Sequence, residues 1–389
     1  MSTAISFLSG KGGSGKTTLA LSVADLLCRC GMRILLIDCD LSTNGATYFY
    51  ESQLAAWNKV NPLKVISFDD ILNVDGYVDD RSPLEISPKL DFIPSIPDIS
   101  NQYLVKEQVS RVQDSFLNLS KFLNQARQNY DVILFDCQAG YTEILPVLLP
   151  LVDVDLFVLE ADSISASAMR SLHLKVGNFF GHARLYQVFN KATLEEFEIY
   201  SKIVGTFFTN IGTLLFDWKI RQAFSRTQIP DLENTSAKYG LDLCAICQII
   251  LSDKDNQEKL GRFSAQLTYR QLKEKYKKTE DDLYKLGANR RPFKLIFSAV
   301  LLFAAVFMLT ILVVFILSIP SESSLFFDSY FGSLIFIILI GTILICSVLL
   351  TESLSQESRK TRQKYARELR NLDKELEKIR RLLQEDEKK

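Results

Sequence analysis

The sequence has little histidine and no excess of charge of either sign. Only two histidines occur among 389 residues, and 45 lysines and arginines stand against 46 aspartates and glutamates. Neither His173 nor His182 has a partner motif, so we interpret both as structural or surface residues. Binding to nucleic acid favours clustered positive charge, which this balance does not indicate. We expect no secretory signal peptide either, because a strand pattern and a glycine-rich loop occupy that position.

Cysteine usage favours a reducing compartment, because the seven cysteines are odd in number and scattered through apolar segments. Only Cys244 and Cys247 form a C-x-x-C pair. Zinc needs four ligands, so this pair would require a second pair from a dimer partner. The alternative is that both cysteines are small hydrophobic residues of a buried helix at 241–251.

Apolar strand-like runs alternate with helical patterns in the first half of the chain. The runs are 4–8, 34–38, 90–93, 132–136, 155–160 and 184–190. This alternation predicts an α/β fold, with a mostly parallel, doubly wound sheet covered by helices on both faces. Ligands of such sheets bind at the carboxyl ends of the strands.

A glycine-rich loop follows the first strand pattern and precedes a helical pattern. Residues 10–17 match the phosphate-binding pattern G-x-x-x-x-G-K-[ST]. Its backbone N–H groups are expected to point at phosphate oxygens, with Lys16 reaching the β- and γ-phosphates and the Thr17 hydroxyl binding Mg²⁺. The predicted nucleotide-binding residues here are Gly10, Gly12, Gly13, Ser14, Gly15, Lys16, Thr17 and Thr18.

Acidic residues stand at the ends of two other predicted strands. Asp38 ends the second run, Asp40 follows two residues later, and Asp136 ends the run at 132–136. Because the carboxyl ends of parallel strands meet at one edge of the sheet, these residues and the loop should converge on one site.

Lys11, directly after the first glycine, resembles the deviant phosphate loop of the MinD/ParA group of ATPases. The resemblance covers about the first 250 residues. Within it, 33–40 is similar to the family's second strand and first switch, and 131–136 to its Walker B strand. The resemblance implies that Lys11 crosses a dimer interface to the partner's nucleotide. It also implies that Asp40 positions the attacking water and that Asp136 holds Mg²⁺.

Further similarities lie outside these motifs. The segments 68–73 and 90–95 match a MinD-like pattern of a short helix and a strand ending in proline. Asn190 stands where the family places an adenine-reading asparagine, and Pro230 resembles a later turn that lies against the base. Gln138 is a departure, because the family usually has a proline in this second switch.

Two long apolar runs, 295–319 and 331–350, mark the C-terminal part. Each exceeds the roughly 18 residues that predict a membrane span. Lysines and arginines flank the pair and are absent from the loop between them, which predicts a hairpin with both ends in the cytoplasm. The sequence thus predicts a multi-pass protein of the inner membrane. Its predicted parts are a cytosolic ATPase domain (1–255), a charged juxtamembrane helix (256–291), a transmembrane hairpin (292–351) and a cytosolic coiled-coil tail (352–389).

Apolar residues of the tail alternate spacings of four and three, as in a coiled-coil seam. They are Tyr365, Leu369, Leu372, Leu376, Ile379 and Leu383. One prediction is an antiparallel stalk with the juxtamembrane helix, against Leu267, Leu272, Tyr276 and Leu283. A parallel coiled coil between two subunits would hide the same seam, and a solvated single helix is the third possibility.

The function predicted from the sequence is that of a membrane-anchored MinD/ParA-like ATPase. Binding of ATP and Mg²⁺ would pair two copies as a homodimer and recruit an unknown protein partner at the lipid bilayer. Lys11 and Lys16 would neutralise developing charge while Asp40 orients water. The alternatives are a non-catalytic ATP-binding scaffold, a membrane-linked sensor or effector, for example in phage defence, and a tyrosine autokinase relative. In that last family the hairpin precedes the ATPase, whereas here it follows.

Overall fold

The computed structural model describes residues 2–62, 64–73, 81–98, 112–193, 195–196, 198, 208–232, 237–288 and 359–384. The chain divides into two compact units, Met1–Thr268 and Tyr269–Lys389, which are described separately.

The first unit contains a central β-sheet flanked by helices. The strands are β1 (Thr3–Leu8), β2 (Ile34–Asp38), β3 (Leu84–Ser87), β4 (Leu90–Ile93), β5 (Val132–Asp136), β6 (Val154–Leu159), β7 (Arg184–Ala192) and β8 (Thr209–Leu215). The helices of its first half are α1 (Lys16–Arg29), α2 (Gly45–Phe49), α3 (Glu51–Val60), α4 (Phe68–Asn73), α5 (Val112–Asn129) and α6 (Leu145–Leu148). They are followed by α7 (Ser163–Val176), α8 (Trp218–Ser225), α9 (Ala237–Ile250) and α10 (Lys254–Ala288), which extends past residue 268 into the second unit. Residues 359–384, in the second unit, form helix α11.

The strand order is β3-β4-β2-β5-β1-β6-β7-β8. Neighbouring strands run parallel except for β3 and β4, which form an antiparallel pair at one edge. The predicted mostly parallel α/β sheet is therefore confirmed. The two edge strands, β3 and β8, were not among the apolar runs predicted from the sequence, so the antiparallel edge was not predicted.

Each face of the sheet has its own hydrophobic core. Along β1, Ile5 and Phe7 point to the face covered by α1 and α9, whereas Ala4 and Leu8 point to the face covered by α5 and α7. This alternation follows from the two-residue period of a strand, and burial of each large side chain contributes roughly 1.5–3 kcal/mol. Helices on both faces fix the strand ends, where the predicted site lies.

One carboxyl group lies inside the second of these cores. Asp155 on β6 is fully buried, and one of its oxygens accepts a hydrogen bond of 2.5 Å from the hydroxyl of Ser6 on β1. Its other oxygen has no hydrogen-bond partner among the described residues. Burial raises the pKa of Asp155 to about 7, and the Ser6 hydroxyl offsets only part of this shift.

Asp155 should therefore make the folded state less stable as the pH rises. The carboxyl releases its proton near pH 3.8 when unfolded but near pH 7 when folded. Between these values the free energy of unfolding should fall by at most about 1.4 kcal/mol per pH unit. Asp155→Asn should remove this component, which urea unfolding at pH 5 and pH 8 would measure. Glu51→Gln, an exposed substitution on α3, is the control. An unchanged pH dependence in Asp155→Asn would contradict the assignment.

The prediction of two transmembrane helices has to be corrected. No helix in the described part of the chain is both long and apolar enough to cross a membrane. The long helices α10 and α11 carry charged residues along their whole length, which hydrocarbon would not accommodate. The fold class with a transmembrane hairpin and the multi-pass inner-membrane location are therefore not supported. The apolar runs behind them, 295–319 and 331–350, lie outside the described residues.

In the second unit, the end of α10 and helix α11 contact each other. The Lys275 ammonium lies 3.2 Å from the carboxylate of Glu368. On α11 the predicted seam is the less exposed face, where Leu372 is buried, whereas Leu382 outside the seam is half exposed. Leu267, predicted to join this contact, instead packs in the core of the first unit beside Gly240.

Candidate functional site

The loop between β1 and α1 presents the N-terminus of a helix at the edge of the sheet. Gly13 and Gly15 have φ angles of 84° and 85°, in the left-handed region that favours glycine. Gly15 is the N-cap of α1, which begins at Lys16 and has no acidic residue in its first turn. Exposed N–H groups and the helix dipole make this end suited to an anion.

Gly10 allows the loop to pack directly against α7. A Cβ atom added to Gly10 would overlap the backbone of Ala168 and Met169. Since backbone cannot move aside as a flexible side chain does, only glycine fits here. The loop and α7 are therefore rigidly adjacent.

Asp136, at the end of β5, is a buried carboxylate without a hydrogen-bond donor. Its side chain is almost fully buried, and neither carboxylate oxygen has a hydrogen-bond partner among the described residues. Burial raises the pKa of Asp136 to about 6, and the charge of Lys16 and the hydroxyl of Thr17 oppose this shift. Carboxylate and hydroxyl oxygens beside phosphate are what Mg²⁺ prefers. The residues present thus fit the predicted cation, with Thr17 and Asp136 as the residues that would hold it.

Asp38 lies beside Asp136 on the neighbouring strand, but its carboxylate is fully hydrogen-bonded. The two residues are register partners across β2 and β5. Asp38 accepts hydrogen bonds from the Thr47 backbone and hydroxyl at 2.8 and 2.7 Å and from the Asp40 backbone at 3.0 Å. Burial, and then the charge of Asp136, raise its pKa to about 8. We therefore interpret Asp38 as a residue that orders the segment after β2.

Asp40 lies at the same edge and closes a turn. Its carboxylate accepts hydrogen bonds from the backbone N–H groups of Ser42 and Thr43, at 3.1 and 2.8 Å, and from the Thr43 hydroxyl. The side chain remains partly exposed. Its position is compatible with the water-orienting role implied by the resemblance, which stays a prediction.

Lys11 is held by two acidic residues that follow β6. Its ammonium lies 2.9 Å from both Glu160 Oε2 and Asp162 Oδ2. The bond to Glu160, and to a smaller extent that to Asp162, raises the pKa of Lys11 against the opposing effect of burial. Asp162 also accepts a hydrogen bond from the backbone N–H of Ser165 and so caps α7. The ammonium of Lys11 is thus engaged outside its own phosphate loop.

Asn190 and Lys191, at the end of β7, support the phosphate loop from behind. The Asn190 amide donates a hydrogen bond of 2.9 Å to the Ser14 carbonyl, and the Lys191 ammonium donates one to the Gly13 carbonyl. Lys191 also lies 3.3 Å from Glu160, which therefore bridges it to Lys11. Contact of Asn190 with adenine stays a prediction, as does contact of Pro230, a buried residue that follows α8.

Sequence reasoning missed Glu160 and Lys191, although a signal existed for both. Glu160 follows the carboxyl end of β6, the same position by which Asp38 and Asp136 were selected. The only sequence signal for Lys191 was its position directly after Asn190. Its φ angle of 58°, unusual for a lysine, is a feature of the structure. Gln138, the departure from the family pattern, is half-buried and lies two residues after the end of β5. Gly140, two residues further on, donates its backbone N–H to the Ser9 carbonyl at 2.8 Å.

The C-x-x-C pair lies within the core. Cys244 and Cys247 on α9 are both fully buried, where a partner subunit could not supply further ligands. In the described ranges, no group of three or more histidine, cysteine, aspartate or glutamate side chains could hold a metal ion. The structure thus favours small hydrophobic residues over half of a zinc site.

A parallel α/β sheet with a lysine-bearing glycine loop at a helix N-terminus and a buried carboxylate on the adjacent strand defines a P-loop nucleotide-binding protein. A family model and sequence relatives indicate which kind of P-loop protein this chain resembles. Residues 2–181 match the family AAA_31, described as an AAA domain. The chromosome partitioning protein ParA of Caulobacter vibrioides is 31% identical over 129 residues, 33% of this chain and 44% of that protein. The septum site-determining protein MinD assigned in Emiliania huxleyi is 30% identical over 145 residues, 37% of this chain and 46% of the relative.

Solved structures show the same fold. MinD of Pyrococcus horikoshii, complexed with Mg-ADP, has a TM-score of 0.51 at 18% identity, covering 67% of this chain and 99% of its own. A protein of Borrelia burgdorferi assigned to plasmid partition, bound to AMPPNP, has a TM-score of 0.54 at 20% identity, covering 64% of this chain and all of its own. The N-terminal part of this chain is thus similar in sequence to ParA and MinD relatives, and the chain shares the fold of the two solved structures. The part of the chain that matches ParA of Caulobacter vibrioides and the MinD relative of Emiliania huxleyi spans less than half the length of each of those proteins.

Proposed function

We propose that the chain is a Mg²⁺-dependent ATPase in which bound ATP pairs two copies and hydrolysis separates them. The observation that carries the proposal is the Asp136 carboxylate, buried without a donor, beside Lys16 and Thr17 at the N-terminus of α1. Burying carboxylate oxygens without hydrogen bonds costs stability even beside a lysine, and a ligand that binds those oxygens would offset this cost.

Nucleotide binding would use the loop and the first turn of α1. The backbone N–H groups of 12–17 would surround the phosphates, and Lys16 would neutralise their charge. Mg²⁺ on Thr17 and Asp136 would supply charge neutralisation at the phosphate oxygens. Asn190 holds the loop in shape through the Ser14 carbonyl. Asn190 and Pro230 are also our candidates for contact with the base.

Hydrolysis would use charges that are already in place. A water oriented by Asp40 would attack the γ-phosphorus, the bond from that phosphorus to the bridging oxygen would break, and ADP would leave with the electron pair. The proton of the water would pass to an oxygen of the released phosphate. Lys16 in the same subunit and Lys11 of the second copy would stabilise the negative charge that develops. A cation supplied across an interface in this way is worth 10³–10⁵ in rate in related phosphoryl transfers.

Pairing would require Lys11 to leave Glu160 and Asp162. All three side chains are about one quarter to one third exposed. Ion pairs of this exposure contribute roughly 0–1 kcal/mol each, so a partner's triphosphate can displace them. The ATP-bound pair would then present a surface that recruits a protein partner and that the ADP-bound chain lacks.

A second candidate is an ATP-binding scaffold that does not turn over. Gln138 favours it, because the residue expected to make the second switch respond to hydrolysis is replaced here. Release of phosphate by purified chain with Mg-ATP separates the two proposals, since a scaffold would bind ATP without releasing phosphate.

Asp40→Ala should slow hydrolysis at least 100-fold and trap an ATP-bound dimer, because the water is no longer oriented while the binding groups remain. Light scattering in saturating Mg-ATP should give twice the monomer mass of 44.2 kDa. Asp40→Asn should behave alike, because its amide oxygen still accepts from Thr43 and preserves the turn. Glu51→Ala on α3 is the control. A monomeric Asp40→Ala protein in saturating ATP would count against ATP-dependent pairing.

A further inference from the structure

A cluster of four buried polar residues lies beneath the segment that follows β2. This switch cluster consists of Asp38, Asn44, Thr47 and Ser95, all nearly or fully buried. Ser95 comes from a different part of the chain, two residues after the end of β4. Segment 90–95 matches a MinD-like pattern, but that resemblance implied no role for Ser95.

The donors and acceptors of the switch cluster can be assigned completely at Ser95. The Thr47 hydroxyl donates to Asp38 and accepts from the Ser95 backbone N–H at 2.9 Å. The Ser95 hydroxyl donates at 2.6 Å to the Asn44 side-chain carbonyl. The two hydroxyls also lie 3.0 Å apart, but each hydrogen already has a better acceptor. The Ser95 hydroxyl therefore has one principal task, which is to hold Asn44.

Asn44 is the residue at which the segment turns towards the phosphate loop. It has a left-handed conformation with φ 50° and ψ 43°, and it precedes α2 without capping it through its side chain. Non-glycine residues in this region need support from their surroundings. Its backbone N–H donates to the Asp40 carbonyl at 2.9 Å, which closes the turn containing Asp40.

The next residue, Gly45, brings this turn against the predicted cation ligand. A Cβ atom on Gly45 would lie 3.2 Å from the Thr17 hydroxyl oxygen. The path from Ser95 through Asn44 thus leads in one direction to Asp40 and in the other to the side chain of Thr17.

We infer that Ser95 is a positioning residue for hydrolysis: its hydroxyl fixes Asn44 and thereby holds segment 40–45, including Asp40, against Thr17. The inference rests on the proposed function, because it assigns how Asp40 is kept in place for turnover. Binding of nucleotide depends on the loop and Lys16, which the Ser95 hydroxyl does not contact.

The backbone of Ser95 has a separate structural role that its side chain does not share. Its carbonyl accepts from the Asp69 N–H at 3.2 Å, and the Pro94 carbonyl accepts from Phe68 at 2.8 Å, which anchors the start of α4. Ser95→Ala leaves these backbone bonds and the one to Thr47 intact. The substitution therefore removes the hydroxyl's bond to Asn44 and its secondary contact with the Thr47 hydroxyl.

Steady-state ATP hydrolysis provides the first test. Ser95→Ala should lower kcat about tenfold and leave the KM for ATP within twofold, because only the turn with Asp40 loosens. Asn44→Gly should do the same, although glycine relieves the left-handed backbone. The double variant should be no slower than either single variant, since both remove one bond. Ser115→Ala on α5, where a buried serine donates to the Leu72 carbonyl, is the matched control and should leave kcat unchanged.

Hydrogen exchange of the full chain without nucleotide provides the second test and needs no activity. Ser95→Ala should raise the exchange rate of amides 42–47 at least tenfold, whereas Ser115→Ala should not. Unchanged exchange there, a kcat within twofold of wild type, or additive losses in the double variant would each overturn the inference. If exchange rises as expected but wild type hydrolyses no ATP, the positioning of the segment stands and the proposed function fails.

Discussion

Lys16→Ala is expected to lower the affinity of the full chain for ATP by about 30-fold or more. Lys16 is nearly buried at the first turn of α1, where it lies close enough to Asp136 to lower the pKa of that carboxyl. Its loss removes the cation for the phosphates and leaves the Asp136 charge uncompensated. Truncating one member of a buried charge pair between two binding partners, here Lys16 and the phosphates, costs about 2–5 kcal/mol, which is roughly a 30- to several-thousand-fold loss of affinity.

Titration calorimetry with Mg-ATP measures this loss. Lys64→Ala, which removes an exposed lysine elsewhere on the same domain, should bind ATP as wild type does. Thermal melting of both variants without nucleotide shows whether the fold persists. Affinity of Lys16→Ala within threefold of wild type would mean that the loop does not bind the triphosphate as assigned.

The fold and the loop could be predicted because their signals are local. A strand, a glycine-rich turn and a helix in succession determine the position of Lys16, and Asp136 follows from where a buried strand ends. Both predictions depend on residues that are neighbours in sequence. The prediction for 292–351 also used a local signal, hydropathy, but no helix of the described residues has that character.

The remaining features of the site depend on contacts between distant segments. Ser95 contacts Asn44 across 51 positions and Lys191 contacts Gly13 across 178, and no periodicity relates such residues. That Asp38 is hydrogen-bonded while Asp136 is not could not be predicted either. Both end an apolar strand before a cysteine, and only the turn that returns Thr47 to Asp38 distinguishes them.

Lys11→Ala is expected to lose both ATP-dependent pairing and turnover while retaining ATP binding by the single chain. In the structure the Lys11 ammonium is bound to Glu160 and Asp162. Among the described residues it forms no hydrogen bond or ion pair with the residues of its own predicted nucleotide site, Lys16, Thr17 and Asp136. Its removal should therefore leave the nucleotide site of its own subunit nearly unchanged. Because Lys11 is proposed to act on the nucleotide of the second copy, its loss should weaken pairing and should lower kcat by at least about 100-fold.

The acidic pair provides the complementary variant. Glu160→Gln with Asp162→Asn removes both charges that hold Lys11, while asparagine still caps α7. Since each exposed ion pair is worth at most about 1 kcal/mol, pairing should begin at an ATP concentration lower by up to about fivefold per pair. Light scattering across an ATP titration would measure both effects, with Lys89→Ala as the control. Dimers of Lys11→Ala at wild-type ATP concentrations would refute a role across the interface, whatever the acidic variant does.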